Sequence, residues 1–247
     1  MITPKHPKAA WFVQQRLLEG VEVFADLEAR ISSLATTQER GDAFDVFAEA
    51  YLATQPLHQA LEVWPLTAVS PSLRRRAGLE DRDFGVDGLF RTSAESLCAY
   101  QVKFRSGRTP LVWSELSTFM GLADQVDQRV LFTNSDELPL VMKRRKRFYA
   151  VRGTDLDRLQ PDDFAVLRGW LAGVIVHRSI RTPRPDQEEA LADIVPALKK
   201  IGSRATITMA CGSGKTLVGI WAAQRLRSAK TLVLLPSLAL LSQTLRE

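Results

Sequence analysis

The stretch GVDGLFRTSAESLCAYQVKF, residues 85–104, decides how the chain folds. Its pattern predicts two short apolar strands, Gly85–Thr92 and Leu97–Phe104, joined by a polar turn at Ser93–Ser96. An acid, Asp87, leads the first strand. In the second, period-2 alternation puts Gln101 and Lys103 on one face and Tyr100, Val102 and Phe104 on the other. A carboxylate at a strand start, facing an amide and an ammonium two residues apart on the partner strand, can hold a hard divalent cation and a phosphate together. An ordinary surface hairpin carries the same residue types, so the spacing by itself does not decide between a site and a solvated face.

Upstream, Ala9 to about Leu34 is mostly helical in pattern, with Gly20 as a break. ERGDAFDVFAEAYLATQPL (39–57) then predicts an amphipathic helix, because Phe44, Phe47, Ala48, Tyr51 and Leu52 recur at the spacing of one helix face. Asp42 is its expected N-cap, and Gln55-Pro56 ends it. Asp45 and Glu49 lie one turn apart on the flank of the apolar stripe. Between this helix and the hairpin, Trp64-Pro65 and Pro71 read as turn punctuation. Arg74, Arg75 and Arg76 offer either a grip on phosphates or a solvated face. Glu80, Asp81 and Asp83 crowd the approach to Asp87, and Asp83 is the first choice for a second acid.

Downstream, VWSELSTFMGLADQV (112–126) predicts a helix and RVLFTNS (129–135) a strand. KRRKRFYAVRG (143–153) gives a basic run and a further short strand, and DLDRLQPDDFAVLRGWLAGV (155–174) one or two closing helices. Strands alternating with helices predict an α/β core with helices on the faces of the sheet.

The pattern D87-x13-Q101-x-K103 resembles the PD-(D/E)xK nucleases of the Mrr-like branch, in which Gln replaces the second acid of the ExK element. Phe44-Asp45 is similar to the Phe-acid pair that many of these nucleases carry on their first core helix. The resemblance implies Asp87 as metal ligand, with Asp45 and the Val102 carbonyl completing the set. Lys103 would orient the attacking water or offset developing charge, and Gln101 would support metal and water.

At 247 residues, with 45% apolar and 25% charged residues, the composition is that of an ordinary globular protein of one large or two smaller domains. Cys98 and Cys211 form no CxxC or disulfide framework, so a reducing cytoplasm is expected. No apolar run approaches the ~18 residues of a membrane span, and the amino-terminal residues lack the apolar core of a signal peptide. The net charge of +5 favours a polyanionic partner such as nucleic acid.

The character of the chain changes at HRSIRTPRPDQEEA (177–190), a basic stretch with two prolines. The expected organisation is a nuclease domain over 1–178, a linker over 179–186, and the front of a nucleotide-binding domain over 187–247. In that last part a helix over Asp186–Lys199 precedes an apolar strand ATITMA (205–210), a Gly-rich loop CGSGKT, a helix over Leu217–Leu226 and a second strand TLVLLPS (231–237). Gly212 and Gly214 let successive N–H groups around Ser213 and a helix N-terminus face a β-phosphate. Lys215 reaches the β/γ oxygens, and Thr216 is placed to ligate magnesium.

Ala210–Thr216 matches the A-x-G-x-G-K-T wording of motif I in superfamily-2 helicases, although Met209 stands where the strict phosphate-loop pattern has Gly. RPDQEEA resembles the upstream Q motif, which implies Gln187 at the adenine edge. LVLLPSLALLSQ, with Pro236-Ser237, resembles motif Ia. A Mrr-like nuclease followed directly by such a motor is similar to the amino-terminal part of Type ISP single-polypeptide restriction enzymes. That resemblance implies Mg2+ and ATP as cofactors and double-stranded DNA as substrate. It also implies further helicase, methyltransferase and target-recognition domains in the full-length chain, and no membrane. Two other readings stay open: a repair or defence helicase-nuclease without a methyltransferase, and a non-cleaving DNA-binding module of a motor. Apolar surface is expected to be exposed at Leu232–Leu235 and Leu238–Leu241.

Overall fold

A computed structural model describes residues 3–79, 85–176, 182–210 and 212–234, apart from the side chain of Lys143. The chain divides into two compact units, Met1–Arg178 and Ser179–Glu247. The first runs α1 (Ala9–Gln14), α2 (Phe24–Ser32), α3 (Thr37–Thr54), β1 (Ala60–Pro65), α4 (Pro71–Arg76), β2 (Gly88–Thr92), β3 (Leu97–Lys103), α5 (Trp113–Leu122), β4 (Gln128–Thr133), β5 (Phe148–Val151), α6 (Gly153–Leu156) and α7 (Pro161–Leu171). Its five strands form one mixed sheet in the order β1-β2-β3-β4-β5. The β1–β2 and β2–β3 pairs are antiparallel, and β3–β4 and β4–β5 are parallel. Antiparallel neighbours need only a short connection, whereas the parallel step from β3 to β4 requires a crossover, which α5 supplies.

Alternation along the strands sorts the side chains into two cores. Phe90, Cys98, Tyr100, Val102, Val130, Phe132 and Val151 face α1, α2, α3 and α7. Leu89, Ala99 and Leu131 face the other way, against α5 and the Ala77–Leu79 turn after α4. The result is a three-layer α/β unit with the sheet in the middle. Phe44 of α3 is the centre of the first core: its ring lies 5.2 Å from Phe132, 5.3 Å from Phe104 and 5.9 Å from Phe47.

Several elements differ from the sequence reading. α3 is capped by Thr36, not Asp42: the Glu39 N–H donates to Thr36 Oγ1 and the Thr36 N–H to Glu39 Oε2. This reciprocal pair satisfies two otherwise orphaned donors, which Asp42, inside the helix and beside Lys8, does not. Trp64 and Pro65 are not turn residues. They end β1, paired with Leu89 and Gly88, and Pro is tolerated because β1 is an edge strand with no ladder on its other side. The amino-terminal helical stretch is broken into α1 and α2, with Gly20 at φ +66° in the turn between them. The basic run Lys143–Arg147 leaves a 3-10 turn, Leu140–Arg144, before β5 begins at Phe148.

In the second unit, α8 (Pro185–Leu198) and α9 (Lys215–Arg225) pack through Leu191, Val218 and Ala222, with Ile207 and Met209 against them. The expected linker therefore gives way to helix at Pro185. Residues 205–210 and 231–234 are not strands: a strand needs a hydrogen-bonded neighbour, and none lies alongside among the described residues. Leu232 and Leu234 are exposed; Cys211, Pro236-Ser237, Leu235 and Leu238–Leu241 lie outside the described residues, as do Glu80, Asp81 and Asp83. No helix among the described residues is long and apolar enough to cross a membrane.

Phe44→Ala removes the ring that joins α3 to β3 and β4. The expected cost is about 3–5 kcal/mol, read as a lower urea midpoint with little change of slope in the transition of the first unit.

Candidate metal centre and phosphate loop

Asp87 stands one residue before β2 and is held from both sides. Its N–H donates to the Tyr100 carbonyl (2.9 Å), and its carbonyl accepts from the Leu66 N–H (2.8 Å). The Val102 N–H donates to Asp87 Oδ2 at 2.6 Å, which fixes the carboxylate at the end of the β2–β3 pair. The Val102 carbonyl leaves the strand along the same edge as its N–H.

Asp45 comes to this place from α3, the neighbour of Phe44. Burial raises its pKa well above the ordinary carboxylate value, and the negative charges of Asp87 and then Asp42 add to that, opposed by Lys103. Asp45 of α3 is therefore within electrostatic reach of Asp87 and Lys103 at one end of the sheet. Tyr100, fully buried beneath them, has its hydroxyl pKa raised by burial and further by Glu49, Asp45 and Asp87. Glu49 is not a solvated flank residue: it is buried, with the backbone N–H groups of Lys5 and His6 donating to its two oxygens at 2.7 and 3.1 Å.

Gln101 is 2% exposed and lies under α5, where a Cβ on Gly85 would meet its Nε2 at 3.4 Å and the Phe119 nitrogen at 3.1 Å. Its Oε1 is buried with no hydrogen-bond partner among the described residues. Lys103, the last residue of β3, is half-buried and makes no ion pair among the described residues. No group of three His, Cys, Asp or Glu side chains among the described residues is arranged to hold a metal. The donors on hand are two carboxylates, the Gln101 amide oxygen and the Val102 carbonyl. An all-oxygen set with few protein ligands suits Mg2+, which keeps several waters, and an orphaned buried amide oxygen fits a cation or its water.

In the second unit Gly212 and Gly214 both take positive φ, +77° and +76°, and Gly214 caps α9. A Cβ on Gly214 would come within 2.6 Å of Gln187 Nε2, so the loop closes tightly on α8. Gln187 is engaged at both ends of its amide: Oε1 accepts from the Arg184 N–H (2.9 Å), and Nε2 donates to the Ser213 carbonyl (2.7 Å). The Arg184 guanidinium, which the sequence reading passed over, donates to the same carbonyl at 2.9 Å. Lys215 is folded back onto the Met209 and Ala210 carbonyls at 3.0 and 2.8 Å. Thr216 follows it in the first turn of α9, half-buried. Within the loop the Ser213 N–H donates to the Ala210 carbonyl at 3.3 Å, so the Lys215 ammonium and the Ser213 N–H share one acceptor ahead of α9.

Residues 180–247 match the family model described as "Type III restriction enzyme, res subunit". No curated protein matches. Among solved structures, the chain is similar to one described as "ATP-dependent Type ISP restriction-modification enzyme LlaBIII bound to DNA", with a TM-score of 0.69 and 22% identity over 92% of this chain. At that identity the likeness is one of fold. The chain spans 14% of the length of that enzyme.

Asp45 generates a pH dependence of definite sign. Its folded pKa lies above the unfolded value of 3.8, so the folded state holds the proton more tightly and stability falls as pH rises from the unfolded toward the folded pKa. Without divalent metal, Asp45→Asn is expected to raise the melting temperature at neutral pH and to flatten this dependence. Thermal melts from pH 4 to 7.5 in a chelator check it; an unchanged or lower melting temperature at pH 7 refutes it.

Proposed function

We propose that residues 1–178 are a Mrr-like PD-(D/E)xK endonuclease and residues 187–247 the front of a superfamily-2 motor. Together they form the amino-terminal part of a cytoplasmic, ATP-dependent restriction enzyme that cuts double-stranded DNA. The observation that carries this reading is the Asp87 carboxylate fixed by the Val102 N–H next to Lys103, with Asp45 in electrostatic reach and the buried Gln101 oxygen without a partner among the described residues. Adjacent carboxylates in a half-buried site raise the energy of the empty protein, a cost that a bound cation offsets.

Asp87, Asp45 and the Val102 carbonyl would hold Mg2+, and Gln101 would support it and its water. The chemistry the ion supplies when bound is Lewis-acid polarisation of the scissile phosphate and acidification of a water. Lys103 brings a positive charge to the phosphate oxygens, where charge develops as the bond to the leaving oxygen lengthens. Asp87 is oriented for its part by the Val102 N–H, and Asp45, with its raised pKa, gains affinity for a cation as it loses its proton. Gln101 cannot ionise, so the site carries one anion fewer than a DxExK site and binds metal more weakly.

In the motor part, Gly212, Ser213 and Gly214 cradle the nucleotide phosphates. Lys215, which rests on the Met209 and Ala210 carbonyls, would supply its charge to the β/γ oxygens, and Thr216 would hold the Mg2+ of the nucleotide. Gln187 positions the loop from α8 by donating to the Ser213 carbonyl. The remaining motor lobe, a methyltransferase and a target-recognition domain are the partners expected in the full-length protein.

Asp87→Ala and Lys103→Ala are expected to abolish Mg2+-dependent DNA cleavage by the full-length protein while leaving ATP hydrolysis intact. Both activities are measured on one preparation, and wild-type cleavage by either variant removes the assignment.

Lys215→Ala is expected to stop DNA-stimulated ATP hydrolysis, and cleavage with it wherever cutting depends on translocation. Unchanged ATP turnover would mean that the loop is not the phosphate site.

A further inference from the structure

Gly41 lies inside α3, one turn before Asp45, with no positive φ, and a Cβ added there would meet nothing within 4 Å. Glycine in a helix interior is less stable than alanine, and neither backbone geometry nor packing calls for one here. What the missing side chain does is leave bare the floor of an open cleft of about 480 Å3 between the first turns of α3 and the chain leaving β3. Close approach of a ligand is the remaining reason for a glycine at such a point.

The walls of the cleft are cationic. The Arg40 guanidinium donates to the carbonyls of Leu34 (3.0 Å) and Ala35 (3.5 Å) and to Ser106 Oγ (3.4 Å), all neutral acceptors that aim it without cancelling its charge. Lys103 lines the opposite side, and neither cation has a carboxylate within ion-pair distance among the described residues. Arg105 and Glu115 neutralise each other in an ion pair on the far wall. The cleft thus joins two cations that make no direct ion pair among the described residues, Arg40 and the candidate catalytic lysine, across a floor stripped of side chain.

We propose that this cleft is a backbone subsite for the DNA strand entering the nuclease centre. The strand crosses α3 at Gly41, and a phosphate next to the scissile one is held by Arg40, while Lys103, on the opposite side, faces the scissile one. One helical turn, about 5.4 Å, separates Gly41 from Asp45, so the phosphate at the cleft and the one at the metal centre are near neighbours on a single strand. Ser106 buttresses Arg40 and adds a hydroxyl donor. The subsite rests on the nuclease reading and deepens it: recognition here is of the sugar-phosphate chain, not of base sequence.

The test uses the full-length protein and duplex DNA. Gly41→Ala, Gly41→Leu and Gly41→Glu should lower kcat/KM for cleavage in that order, by more than about tenfold at the last. In each, the melting temperature holds or rises and the Mg2+-induced thermal shift is kept, which separates a blocked cleft from a damaged fold or metal site. Arg40→Gln should cost about tenfold, with Arg40→Lys recovering part of it. Duplexes carrying one neutral methylphosphonate at successive positions around the cut give the second arm: at one flanking position the wild type loses what Arg40→Gln loses, and Arg40→Gln loses nothing more. Wild-type cleavage by Gly41→Glu, or additive losses at every methylphosphonate position, overturns the subsite. With Asp87→Ala run alongside, loss there combined with no effect at Gly41 and Arg40 rejects the subsite alone, whereas wild-type cleavage by Asp87→Ala rejects the nuclease reading beneath it.

Discussion

The packing of α3 against the middle of the sheet is the constraint on which the first unit depends. Phe44 seats between Phe104 and Phe132, and the next residue of a helix is turned by about 100 degrees. With Phe44 pointing into the core, Asp45 is carried to the flank, at the end of the sheet where Asp87 waits. Hydrophobic burial of the one residue thus drives two carboxylates together, against their mutual repulsion and against desolvation. The fold tolerates this because the aromatic cluster around Phe44 is large and the unfavourable term local.

Two acids on the same helix, one turn apart, meet opposite fates for a physical reason. Glu49 is more deeply buried than Asp45, yet backbone N–H groups from Lys5 and His6 satisfy both its oxygens. Those hydrogen bonds and Lys5 partly counter the rise in its pKa that burial causes. It anchors the amino-terminal segment. Asp45 faces other acids and Lys103 instead, which leaves it disposed toward a cation. Behind Lys103, the chain leaving β3 is held in place by Asn134, whose side chain accepts from the Arg105 N–H and donates to the Arg105 carbonyl, and by Arg108, which binds Glu28 and Asp157. These bonds set the wall of the cleft opposite Arg40.

The second unit is organised on a smaller scale. Three buried residues join α8 to α9, and the bidentate pair of Arg225 with Glu188 ties their ends. Through Gln187 and Arg184, α8 also grips the Ser213 carbonyl in the phosphate loop. The shape of that loop therefore depends on residues some thirty positions upstream, and the capping glutamine of α8 doubles as a support for the Gly-rich loop.

Local patterns in the sequence determined the hairpin, α3, the crossover helix and the Gly-rich loop, because period-2 alternation, the apolar stripe of a helix and paired glycines are written in neighbouring residues. The face-sharing of Gln101 with Lys103 followed from the same alternation. Elsewhere local signals misled: Pro65 reads as a break until β1 is seen to be an edge strand, and Asp42 outranks Thr36 as a cap only while the reciprocal Glu39 bond is overlooked. Apolar stretches such as residues 205–210 read as strands, but pairing requires a neighbour that local pattern cannot provide. The pairing of Asp45 with Asp87 was implied in the sequence only by resemblance; the packing of α3 on the sheet is what puts the two acids within electrostatic reach. Tertiary structure also buried Glu49 against the amino-terminal segment, left the Gln101 oxygen without a partner among the described residues and opened the cleft over Gly41. Each of these depends on which surfaces meet across the sheet, and burial, charge coupling and empty space are properties of that meeting, not of residues adjacent in the chain.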